Sequence, residues 1–150
     1  MQEPSSASSG GVLKRDRLLL ISNAVLLLVL ILHDLDHYRQ TVNFCFSLSA
    51  RFWTVLMLGF VPVVTSLWLS YRRRRAAAVV TAVSGLTIGT ILIAGHLIGG
   101  VPFAERYTLT YWELGVDRLS WAMLWALAGA CVLCTGVGLY SCSGRTTKSS

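Results

Sequence analysis

Two histidines and two aspartates fall within five positions at His33-Asp34-Leu35-Asp36-His37, closing a run that is otherwise almost wholly apolar. From Leu18 to Leu32 the strongly polar side chains are Ser22 and Asn23 alone. Ionisable groups at the end of a membrane span are costly to desolvate, so they face a cavity or one another and mark a functional site. Histidines at i and i+4 of a helix can both point at one ion, and nearby carboxylates add charge or orient the rings. Imidazole mixed with carboxylate suits zinc, iron, copper or manganese better than calcium or a soft-metal site.

Depth adds a third histidine. At about 1.5 Å per residue, His37 lies roughly 30 Å beyond Arg17 and His96 roughly 30 Å beyond Arg75, with His33 about one turn deeper. Asp117 opens the last apolar run at the same level. The candidate metal ligands are therefore His33, His37 and His96, with Asp34, Asp36 or Asp117 completing or orienting the shell. Facing agrees: at about 100° per residue, His37 falls near +40°, Asp36 near −60° and Ser22 near −20° of His33, one stripe of one helix. Gly85, Gly89, Gly95 and Gly99 share an arc of about 120° with His96, so His96 is expected on a packed face.

His33-Asp34-Leu35-Asp36-His37 also resembles the H-E-x-x-H motif of zinc peptidases, with Asp34 at the position of the general base. The likeness covers five residues, the shorter Asp replaces Glu, and no third-ligand motif follows; no family is assigned on it. Two readings compete with the metal site. One is a structural polar network in which the His/Asp cluster pairs within itself and with Arg39 and Arg118, in a non-catalytic interaction or assembly protein. The other is a b-type haem with His37 and His96 as axial ligands. Metal-dependent catalysis and metal handling are not separated by the sequence.

The elements that must position these residues are membrane spans. Of the 150 residues 54% are hydrophobic and 13% charged, with a mean hydropathy of +0.61, too apolar for an ordinary soluble domain. Four runs, 18–38, 52–71, 76–98 and 119–140, each approach the roughly 20 residues a helix needs to cross the bilayer. Helices are required because lipid offers the backbone no partners. The expectation is an all-α, four-transmembrane-helix bundle. A disordered cytoplasmic tail (1–17) precedes the transmembrane domain (18–140), and a second cytoplasmic tail (141–150) follows it. A basic stretch before an apolar run also fits a signal peptide, but no small-x-small cleavage site follows, so the first span is read as uncleaved.

Nine of the thirteen Lys/Arg flank one side: three before the first run, Arg72 to Arg75 between the second and third, and Arg145 with Lys148 at the end. The positive-inside rule makes that side cytoplasmic, with N-in and C-in termini in a cell membrane. The net charge of +6 is thus a topology signal with anionic-lipid contact, and no nucleic acid is called for. All three histidines and five of seven acids fall on the outer side.

Lipid is the first expected partner. The glycine face at Gly85, Gly89, Gly95 and Gly99 is a second contact surface, for homo-oligomerisation or other membrane helices. Cys45 stands alone on the outer side, while Cys131 and Cys134 are three apart in the fourth span, where buried packing is the default. Pro62 and Gly59 should bend the second span, with Ser66 or Thr65 meeting freed backbone groups. Tyr111 and Trp112 belong to an outer aromatic belt, and Glu105 and Glu113 to the rim of a loop capping the site.

Overall fold

A computed structural model describes residues 7–43, 50–98 and 110–146. Five α-helices cover almost all of them, with no strand among the described residues: α1 (Ala7–Asn43), α2 (Ala50–Tyr71), α3 (Ala77–Ile93), the single turn α4 (Tyr111–Leu114) and α5 (Arg118–Thr146). Four are long and apolar enough to cross a membrane, over Leu13–Asn43, Trp53–Tyr71, Ala77–Ile98 and Arg118–Ser143. α1 starts earlier than expected. Ala7 to Arg17 is helical rather than a disordered tail, because an apolar helix already nucleated propagates into Leu13, Lys14, Arg15 and Arg17, all good helix formers.

The long helices form a ring in which α1 packs on α2 and α5, and α3 packs on α2 and, most extensively, on α5. α2 reverses into α3 through the arginine loop. Arg73 takes φ 51°, Arg73 N–H donates to Ser70 O (3.1 Å) and Arg74 N–H to Leu69 O (2.9 Å). That is a Schellman closure, with an arginine where glycine is usual. Pro62 lies inside α2, and its carbonyl accepts from Ser84 of α3 at 3.1 Å.

Small residues let α3 and α5 meet backbone to backbone. A Cβ on Gly85 would stand 2.6 Å from the Cys131 carbonyl, and one on Gly138 2.6 Å from Ala82 N. Gly85 and Gly89 are therefore covered by α5 of the same chain. Gly99 lies outside the described residues, as do Cys45 and Glu105. The apolar core between α1, α2, α3 and α5 is built from buried Leu26, Leu30, Val63, Ile88, Leu92, Leu124 and Leu127.

Two buried polar clusters interrupt that core. Toward the arginine loop, the Asn23 amide donates to Leu19 O (2.8 Å) and Thr81 Oγ1 (2.8 Å), with Ser70 Oγ at 3.2 Å. Its Oδ1 accepts from the Ser66 hydroxyl. One side chain thereby ties three helices. At the other end of the bundle sits the histidine cluster.

Candidate metal centre

His33 and His37 are presented by consecutive turns of α1, both buried, at 2% and 6% exposure. His96 comes from α3, where the helix widens into a π-turn over Ala94–Ile98. Such turns insert a residue into the ladder and often occur at functional sites. The three rings form a triangle, with centroids 4.7, 5.1 and 5.2 Å apart. One ligand atom from each falls within 4.8 Å of the others.

Tautomers follow from partners. His96 Nδ1 lies 2.9 Å from the Leu92 carbonyl, which can only accept, so Nδ1 carries the proton and Nε2 the lone pair. That Nε2 is 3.2 Å from His37 Nε2. Two nitrogens on one tetrahedral ion at bond lengths of 2.0–2.1 Å stand about 3.3 Å apart. Three imidazoles around such an ion hold their centroids roughly 5 Å apart on the same bond lengths. One nitrogen pair is already at that nitrogen–nitrogen spacing, and the three-histidine group could hold an ion. Axial haem ligands would instead be on the order of 4 Å apart, two metal–nitrogen bonds end to end with a macrocycle between. His37 Nε2 and His96 Nε2, 3.2 Å apart, are closer than that, so a haem would require the two rings to separate.

The aspartates divide. Asp34 is buried, and neither of its oxygens has a hydrogen-bond partner; nor has His33 Nδ1. Asp36 is also buried, with Oδ1 accepting from Arg39 Nε (2.7 Å) and Oδ2 from Gln40 Nε2 (2.8 Å). Asp117 caps α5, accepting Ser120 N–H at 3.0 Å, and pairs with both terminal nitrogens of Arg39 at 2.7 and 2.8 Å. Arg39 and the Ser120 N–H hold the Asp117 carboxyl well below the usual carboxylate range. Arg39 thus links α1 to α5, and the histidines alone form the convergent group among the described residues.

Glu113 was expected at the rim of the site; Thr110, Tyr111, Gln40 and Ser120 were not singled out for it from the sequence. α4 is closed by a capping box, Thr110 N–H donating to Glu113 Oε2 at 2.7 Å, and by Gly115 at φ 62°. Those hydrogen bonds hold the exposed Glu113 carboxyl below its ordinary value. The turn seats Tyr111, 3% exposed, with its ring edge-on to His96 at 4.7 Å and its hydroxyl accepting from Gln40 at 3.2 Å. Burial pushes the Tyr111 phenol up to about 12. Gln40 and Ser120 complete the tie at 3.1 Å. Gln40 carried a signal, since it lies about 20° from His33 on the polar stripe. Tyr111, inside a loop, carried none.

No family model matches the chain, nor does a curated protein or a solved structure. The chemistry of the centre has to be read from its own atoms.

Proposed function

We propose that this membrane protein binds one divalent transition-metal ion through His33, His37 and His96, at the end of the bundle opposite the arginine loop. The observation that carries the reading is the convergence of three imidazoles from two helices, with two ring nitrogens 3.2 Å apart. Buried polar groups are ordinarily paired, yet His33 Nδ1 and both Asp34 oxygens are not. A purely structural polar network leaves that unexplained.

Charge supports a divalent ion. Three neutral imidazoles leave an ion's charge uncompensated in a medium that solvates it poorly. The buried Asp34 and Asp36 carboxyls on the same helix as His33 and His37 are a source of compensating negative charge. In this reading the carboxylates supply field and orientation around the three nitrogens. The lysine and arginine distribution puts both termini in the cytoplasm and the centre on the outer side of a cell membrane.

The test is metal analysis of protein purified without a histidine tag or chelator. About one equivalent of zinc, iron, copper or manganese is expected, released by acidification because the ligands must be deprotonated. Parent protein that takes up no added divalent ion would end the reading.

A further inference from the structure

Asp36 is the carboxylate that helical spacing offers to the ion, three residues after His33 and one before His37 on the buried stripe of α1. Both of its oxygens are engaged elsewhere. Oδ1 is held by Arg39 Nε at 2.7 Å and Oδ2 by Gln40 Nε2 at 2.8 Å. The two donors are themselves anchored. Arg39 has its other nitrogens on Asp117 and Ser120, at 2.7 to 3.0 Å. Gln40 also reaches Ser120 and Tyr111. To reach a metal, Asp36 would have to break two bonds, one charge-assisted on both sides, and strand donors fixed to α5 and α4. Three histidine nitrogens converge, and a four-coordinate ion has one position more.

We propose that Arg39 and Gln40 withhold Asp36 from the metal, so that the fourth coordination position stays open to a small anion or neutral donor from solution. This rests on the metal reading of the three histidines and says what kind of centre it is. Sites filled by four protein ligands hold structure together, whereas three ligands and an open position permit exchange or catalysis. Neutral imidazoles leave the coordination sphere itself without an anionic ligand, so a small anion such as azide can occupy the open position. Arg39 is on this view a positioning residue: it sets coordination number without touching the ion. A helix-to-helix staple alone would leave ligand binding unchanged when removed.

The experiment uses the full chain in detergent, loaded with cobalt(II), whose visible ligand-field bands report coordination, and titrates azide. The parent should respond saturably. In Arg39→Ala the freed Asp36 takes the fourth position, so azide binding weakens at least about tenfold, within the span typical of changes around a metal's ligands. Cobalt should be held more tightly in the same variant. Arg39→Ala with Asp36→Asn has no carboxylate to swing in, and azide binding should return. Should Arg39→Ala fail to fold, Gln40→Leu releases Oδ2 alone and carries the same test with a smaller shift. Azide binding in Arg39→Ala equal to the parent's would overturn the proposal. So would a parent cobalt spectrum indifferent to azide, with Asp34→Asn gaining the response, since Asp34 would then be the fourth ligand. A parent that binds no cobalt removes the metal reading itself, a separate failure.

Discussion

The Asn23 cluster and the His33 cluster lie about 15 Å apart along α1 and differ in how their polar atoms are met. Around Asn23 every side chain is neutral and has a partner: Ser22 on Leu19 O, Ser66 on Asn23, Ser70 on Ser66 O, Ser84 on Pro62 O. Around His33 the groups are ionisable, ring nitrogens face one another, and His33 Nδ1 and the Asp34 oxygens have no partner. A satisfied neutral cluster is glue between helices, each interhelical bond contributing about 0.6 kcal/mol and at most about 1.7. A convergent cluster with orphaned atoms costs stability in the empty protein, and that cost is expected at a site with another use. Burial and polarity are alike in the two places. Satisfaction separates them.

The largest effect should come from exchanging the clusters' roles in metal binding. His37→Ala and His96→Ala should each lower affinity by more than about 100-fold, above the range for changes outside the ligand set. Together they should cost little more than either alone, because ligands of one ion act as a unit. Asn23→Ala should leave about one equivalent of metal bound. Metal loss on Asn23→Ala equal to that on His37→Ala would erase the distinction.

Stability of the metal-free protein sharpens the contrast with opposite signs. Asn23→Leu removes the amide that ties three helices and takes from the Thr81 hydroxyl its bond to Asn23, while Ser66 and Ser70 keep theirs to Val63 O and Ser66 O, and should destabilise by about 1–3 kcal/mol. His33→Leu removes an unsatisfied buried nitrogen, and should be neutral or stabilising by about 1 kcal/mol. Thermal unfolding in detergent, after chelation, reads both. His33→Leu as damaging as Asn23→Leu would mean that the histidine cluster also holds the bundle together.

Much of this was legible from residue types. Four apolar runs specify four spans, because lipid admits little else, and depth counted from Arg17 and Arg75 puts His37 and His96 at one level. The glycine spacing of α3 foretold a close helix contact but not its occupant, which depends on Gly138 and Cys131 of α5. The choice made by Asp36 and Asp117 was not legible either. Spacing offers them equally to an ion or to Arg39, and only the placement of Ser120 and Gln40 around the guanidinium decides. The π-turn that carries His96 leaves no mark in hydropathy. Tyr111 looks like any interfacial aromatic until α4 is closed by Thr110 and Glu113.

The smallest expected effect concerns charge, which the histidine cluster uses and the Asn23 cluster does not. The Asp117 carboxyl is held below its ordinary value of 3.8, first by Arg39 and then by the Ser120 N–H. A carboxyl with a depressed folded-state value binds protons more readily in the unfolded chain. Its contribution to stability is therefore complete above the unfolded value and shrinks as the pH falls toward the folded one. Asp117 is exposed, so water and salt screen the pair and the contribution is modest. Unfolding of the parent and of Asp117→Asn should differ by a constant amount from neutral pH down to about 5. Below the ordinary carboxyl range the two should converge, and added salt should narrow the gap at every pH. A gap independent of both pH and salt would assign Asp117 the role of a neutral cap, making the network around Arg39 as indifferent to charge as the one around Asn23.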